Sequence, residues 1–267
     1  MKFFLLRGTG VLLILYVLGC AWLYVKQETL LFYPQRLPAA YKFGFPGKYI
    51  EYTIISADGI PLNGLLFKAD AAKGLVFFLH GNAGSLADWG RLAPVYQQLG
   101  YDVFMLDYRG YGKSQGTITS QAQLLNDVEA AYQQVASRYA ENTVVIAGYS
   151  LGTGPAAWLA TRHQPKLLLL HAPYYSMTDM AAHTIPVWPL LPNLLLRYPL
   201  PTNEFVTRLK CPLMLVHGDR DQVIPYASSL RLKALCATGS QLLIIPAAGH
   251  NGLTDKFNYR QAIRRLL

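Results

Sequence analysis

Gly148-Tyr149-Ser150-Leu151-Gly152 sets one serine between two glycines, where an apolar β-rich run (residues 143–147) meets a stretch of helical character that begins at Leu151. In that context the pattern describes a sharp strand-to-helix turn. The glycines let the chain reverse tightly, and the serine stands clear of the sheet at a helix N-terminus, where free backbone N–H groups favour developing negative charge. The chemistry such a serine can do is nucleophilic attack on an acyl carbon. A hydroxyl is a weak nucleophile, so it needs a general base beside it and a further group to orient that base.

Five histidines follow the serine: His163, His171, His183, His217 and His250. His250, in Ala248-Gly249-His250-Asn251, comes after the last expected strand, in a loop suited to presenting a side chain. His217 sits at a strand end before Gly218 and reads as a local packing or hydrogen-bonding residue. His163, near a helix end, reads as a surface residue. His171 and His183 flank or lie in a proline-rich stretch and read first as structural, with substrate contact as the alternative. The loop 217–225 offers two acids to orient the base, Asp219 and Asp221. An oxyanion hole needs two backbone donors. The N–H of Leu151 is one, and Asn82, in His80-Gly81-Asn82-Ala83-Gly84, is the candidate for the other, with His80 supporting the loop.

Other chemistries are not expected. Gly112-Lys113-Ser114 looks like the end of a phosphate-binding loop, but position 107, where that loop requires glycine, is Asp107. No zinc-protease or dinucleotide pattern is present, and Cys20, Cys211 and Cys236 are too scattered for a disulfide framework or a metal site. The formal charge of +9 comes without a Lys/Arg run, so nucleic acid is not an expected partner and a basic surface near a membrane is. Neither metal nor cofactor is implied.

The elements that must position these residues follow from periodicity. Residues 49–55 and 61–67 read as a hairpin about the turn Ala57-Asp58-Gly59. Short apolar runs at 75–79, 102–106, 143–147, 166–170, 213–216 and 241–245 then alternate with helical stretches, among them an amphipathic helix over 121–139. That alternation predicts a mostly parallel sheet covered on both faces. It breaks between about 174 and 211, where five prolines interrupt a Leu-rich segment. This segment reads as a cap over the C-terminal edge of the sheet, where open α/β folds bind ligands. Within it Met177, Met180 and Trp188, with Ile185, Val187, Leu190 and Leu191, are candidates for an apolar acyl pocket.

The N-terminus carries 18 consecutive uncharged residues, 8–25. As a helix they span about 27 Å at ~1.5 Å per residue, close to the hydrocarbon core of a bilayer. Lys2 and Arg7 precede the run, Lys26 follows it, and Trp22 and Tyr24 lie at its far end, where interfacial aromatics sit. Residues 1–26 therefore read as a single-pass signal-anchor, 27–48 as a linker and 49–267 as the catalytic domain, placed outside the cytoplasm. A cleaved signal peptide would end in small residues, which are lacking here. Val17-Leu18-Gly19-Cys20 resembles a lipobox, but the apolar run continues past Cys20.

With these residues in place, the chain after residue 48 resembles the α/β-hydrolase superfamily. It is most similar to membrane-anchored serine hydrolases that carry His80-Gly81-Asn82-Ala83-Gly84, the loop Asp107 to Ser114, G-x-S-x-G, an H-G-x-x-D-x-V-I-P segment and a late Gly-His, in that order. The resemblance implies an eight-stranded, mostly parallel sheet, a Ser150-Asp221-His250 triad in which the acid is Asp221 rather than Asp219, and esterase or thioesterase activity on an ester or acyl substrate. A serine peptidase is the alternative enzyme, and a membrane-tethered binding protein without catalysis the alternative from another class.

Overall fold

Short apolar runs pair into one eight-stranded sheet whose inner strands are buried on both faces and must be covered on both. The strands are β1 (Tyr49–Ile55), β2 (Pro61–Phe67), β3 (Gly74–Leu79), β4 (Tyr101–Leu106), β5 (Val144–Tyr149), β6 (Leu167–His171), β7 (Leu213–Gly218) and β8 (Ser240–Ile245). Their order across the sheet is β1-β2-β4-β3-β5-β6-β7-β8. β2 pairs antiparallel with β1 and β4, and the remaining pairs are parallel. The computed structural model describes residues 2–185, 195–236 and 239–267, with side chains from residue 10 onward.

The two-residue period of a strand divides the core into two layers. Leu75, Phe77, Leu79, Ile146, Leu168 and Leu170 point to one face, where they meet residues of α2 (Gln121–Ala136) and α3 (Thr153–Arg162). Val76, Phe78, Val145, Leu169 and Val216 point to the other, against short helices at Leu86–Trp89 and Ala93–Gln97 and the C-terminal helix Phe257–Leu266. Ser120 caps α2, its Oγ accepting from Gln123 N–H at 3.2 Å. The helix stops at Ala136, short of the expected 139: Tyr139 closes a turn onto Ala136 O and donates its hydroxyl to Asp102 at 2.6 Å.

The N-terminal helix, α1, spans Lys2–Leu31, and its Gly10–Leu31 portion, with mean hydropathy 1.6, is long and apolar enough to cross a membrane. It continues past Lys26, where the anchor was expected to end. Gln27 is buried there with its amide satisfied at both ends: Nε2 donates to Leu195 O at 2.5 Å and Oε1 accepts from Arg197 N–H at 2.7 Å. Leu31 and Phe32 pack against the core. Between β6 and β7 the described part of the expected cap comprises a helix at Met177–Thr184, capped by Ser176, and a short one at Thr202–Val206. Residues 186–194, which include Val187, Trp188, Leu190 and Leu191, lie outside the described residues.

Candidate active site

Parallel pairing brings the loops after β3, β5, β7 and β8 to one edge of the sheet. Leu79 pairs with Gly148, so the turn after β3 starts beside the turn after β5. In that second turn Ser150 has φ +50°, a left-handed conformation that a side chain adopts only at a cost of ~1–3 kcal/mol. The flanking glycines make it feasible. A Cβ on Gly148 would lie 2.5 Å from Gly152 O, and a Cβ on Gly152 would collide with Leu79 O.

The loops after β7 and β8 are tied backbone to backbone, Arg220 N–H donating to Ala248 O at 3.0 Å. They carry Asp221 and His250 toward the serine. His250 Nε2 lies 2.9 Å from Ser150 Oγ, and His250 Nδ1 lies 2.7 Å from Asp221 Oδ2. A carboxylate only accepts, so Nδ1 carries the ring proton and Nε2 presents its lone pair to the serine hydroxyl. Tyr149 OH donates to His250 O at 2.7 Å and fixes the backbone beneath the ring.

Asp221 Oδ1 accepts from the amides of Val223 at 2.8 Å and Ile224 at 2.9 Å. His217 Nε2 lies 3.2 Å from Oδ2. Burial alone pushes this carboxyl up, but the bonds from His217, His250 and the Ile224 amide outweigh it and hold the group well below the usual carboxylate range. Asp219, the other acid of the loop, is exposed.

Asn82 and Leu151 both border the space in front of Ser150. The Asn82 carbonyl is held from two sides, accepting from Tyr33 N–H at 2.8 Å and Tyr111 OH at 2.7 Å. Tyr108 OH donates to His80 O at 2.9 Å. His80 is fully buried, its Nδ1 donating to Gly81 O at 2.7 Å and its Nε2 3.5 Å from Asp107. Asp107 accepts from Leu86 N–H at 3.0 Å, and burial pushes its carboxyl up. Arg109, held by Asp58 and Asp127, locks the same segment to the body of the fold. The segment that mimics a phosphate loop thus buttresses the turn after β3: Ser114 Oγ donates to Asp107 O at 2.6 Å.

The remaining histidines lie elsewhere. His171 is buried under the serine turn, with Nδ1 donating to Gly148 O at 3.0 Å and Nε2 accepting from Tyr259 OH at 2.8 Å. His163 pairs with Glu129 at 2.9 Å, and His183 lies exposed on the helix after Ser176.

A cavity of about 770 Å³ opens at Ser150 and His250. Met177 and Met180 line it, and both also pack against the core. Sequence reasoning missed two features. His217 faces Asp221 as well as its own turn. The N-terminal helix also reaches the cavity, through Trp22, Leu23, Gln27, Leu30 and Leu31. The sequence signal for the second is the apolar triplet Leu30-Leu31-Phe32 beyond the charged boundary at Lys26, inside a segment read as linker. Among the described residues no cluster of His, Cys, Asp and Glu could hold a metal ion.

Residues 70–205 match the family described as Serine aminopeptidase, S33. An uncharacterized protein of Mycobacterium tuberculosis is 29% identical over 252 residues, covering 92% of this chain and 89% of that protein. Human alpha/beta hydrolase domain-containing protein 17B is 32% identical over 204 residues, covering 73% of this chain and 65% of that one. The Pyrococcus furiosus esterase Pf2001 superposes with a TM-score of 0.68 at 19% identity, covering 89% of this chain and 97% of that chain, a likeness of fold. By this match and this architecture, the chain belongs to the serine aminopeptidase S33 family of the α/β-hydrolase superfamily.

Proposed function

We propose that this protein is a membrane-anchored serine hydrolase that cleaves carboxylic esters or thioesters through an acyl-Ser150 intermediate. The observation that carries the reading is the chain Ser150–His250–Asp221, at 2.9 and 2.7 Å, opening on an apolar cavity. As Ser150 Oγ attacks the acyl carbon, His250 Nε2 takes its proton. Charge gathers on the former carbonyl oxygen, to which the N–H groups of Leu151 and Asn82 donate. Collapse breaks the bond to the alcohol or thiol, which leaves with the proton from His250. Water enters and attacks the acyl carbon as the same nitrogen takes its proton. Collapse breaks the bond to Ser150 Oγ, which regains that proton from His250, and the acid is released. Asp221 stays ionised throughout and holds the imidazole in one tautomer.

The family description raises peptide substrates as a second reading. An aminopeptidase must hold a free ammonium group, and a buried charge needs a counter-ion. Among the described residues lining the cavity there is no carboxylate. We therefore place esters and thioesters first. Kinetics of the full chain on p-nitrophenyl acyl esters and on aminoacyl p-nitroanilides separate the two. Ester turnover without amide turnover is the expected result, and the reverse would overturn the assignment. The N-terminal helix serves as the anchor in this reading, with membrane lipid as its partner.

A further inference from the structure

The stripe of the N-terminal helix that faces the cavity lies at the C-terminal end of the stretch apolar enough to span a membrane, Gly10–Leu31. Leu23, Gln27, Leu30 and Leu31 recur at the spacing of one helical face, with Trp22 beside them, and all five line the same cavity as Ser150 and His250. Trp22 and Leu23 fall within the uncharged run that ends at Val25, whereas Leu30 and Leu31 fall beyond Lys26. From Trp22 to Leu30 the stripe covers about 12 Å at ~1.5 Å per residue. On the anchor reading, with the bilayer ending near Lys26, the cavity wall straddles that boundary.

The helix is also fastened in place. Besides the two hydrogen bonds of buried Gln27, Glu28 pairs with Arg197 at 2.7 Å and accepts from Tyr198 OH at 2.8 Å. Phe32 packs edge-on to Tyr198 with ring centroids 5.2 Å apart. Immediately after the helix, Tyr33 N–H donates to Asn82 O at 2.8 Å and Gln35 N–H to Gly84 O at 2.9 Å, so the chain leaving the membrane is stitched to the turn beside the serine. In contrast, Val11 to Val25 present large exposed apolar side chains, Leu12 at 68% and Val25 at 67%. A plain tether needs neither a buried glutamine latch nor a face in the catalytic cavity.

We propose that the N-terminal helix is a substrate-binding wall of the active site, and that the site takes the long acyl chain of a membrane-resident ester directly from the bilayer along Trp22, Leu23 and Leu30. The proposal rests on the serine-hydrolase reading above and names the substrate class it acts on. A cavity of about 770 Å³ lies within the ~300–1,000 Å³ typical of sites for small organic molecules, so it can hold an acyl chain with its ester group. The chain would slide between two apolar surroundings, with only the ester group crossing to the polar end where Ser150 and His250 stand.

The test uses the full chain in phosphatidylcholine vesicles, with p-nitrophenyl palmitate in the bilayer and p-nitrophenyl acetate in the water. Leu23→Trp and Leu30→Trp fill the cavity from the helix wall, one on each side of Lys26. Each is expected to lower the palmitate-to-acetate ratio of kcat/KM by about tenfold or more, the loss of contact with two or three methylenes. Val25→Trp, on an exposed position that does not line the cavity, leaves the ratio unchanged. Retained ratios in both leucine variants would overturn the proposal, as would equal loss on the two esters. An unmodified chain that hydrolyses neither ester would instead overturn the serine-hydrolase reading, a result visible before any variant is made.

Discussion

His217 Nε2 lies 3.2 Å from Asp221 Oδ2, the same oxygen that accepts His250 Nδ1–H at 2.7 Å. The same His217 nitrogen is 2.9 Å from Ile224 O, a group that can only accept, so it carries a proton shared between the carbonyl and the carboxylate. Ser229 Oγ, at 2.7 Å, then donates to His217 Nδ1. The Asp221 carboxylate is thus held by a histidine behind it as well as the one in front.

Replacing that rear histidine should be felt in catalysis although it never meets substrate. A hydrogen bond to a charged group is worth roughly 1.5–3 kcal/mol, so His217→Leu is expected to cost about tenfold or more in kcat/KM. The Asp221 carboxyl sits below its ordinary value in the folded protein, so its contribution to stability is whole above the ordinary carboxylate range and is lost as pH falls through its folded value. Without His217 that value rises, and the acid side of the pH–rate profile should move to higher pH. A purely structural residue would lower activity without moving the profile.

The two acids of one loop should separate sharply. Asp221→Asn leaves the shape intact but lets the neighbouring imidazole adopt the wrong tautomer, an effect of about 10⁴-fold on kcat in triads of this kind. Asp219, exposed to solvent, should tolerate Asn within about twofold, as surface positions do. Steady-state ester kinetics on both variants decide the matter.

Backbone crowding at the serine turn predicts a stability defect. In Gly152→Ala the new methyl meets Leu79 O, part of the central strand, which has no room to yield. The variant should lose about 3 kcal/mol in denaturant unfolding, together with activity. Ser150→Ala, at the adjacent site, removes only a hydroxyl and should unfold close to the unmodified protein.

His171 makes the protein acid-sensitive. Full burial pushes its imidazole down to about 4, opposed by the bond to Gly148 O. The ordinary value is ~6.5, so the neutral ring's contribution is whole above that pH and is lost as pH falls toward 4. Over that window about 3 kcal/mol of stability should go, and His171→Gln should flatten the slope. Urea midpoints at pH 7 and pH 5 read it directly.

Much of this was legible in the sequence because the inner strands are buried on both faces and leave no alternation to misread, while the outer pair β1 and β2 is marked by its turn. β1 and β2 occupy the expected residues, and the other strands fall within one or two residues of their apolar runs. β5 runs two residues past its apolar run, to Tyr149, straight into the serine turn, and β7 two past its own, to Gly218. Less legible were partners brought together by tertiary packing. His171 borders the proline-rich segment in sequence, yet its ring turns inward to stack on Tyr149 with centroids 5.4 Å apart. The reach of the N-terminal helix was hidden by its composition: a helix apolar on every side shows no periodicity to mark the face that lines a cavity, and Gln27 looks like the start of a linker until its partners, Leu195 and Arg197, are seen.

The most direct test of the central claim is labelling of the full chain, in detergent, with a fluorophosphonate probe that reacts only with an activated serine. The account predicts stoichiometric labelling that vanishes in Ser150→Ala and falls sharply in His250→Ala. A folded chain that leaves the probe unreacted, or one whose labelling survives Ser150→Ala, would contradict it.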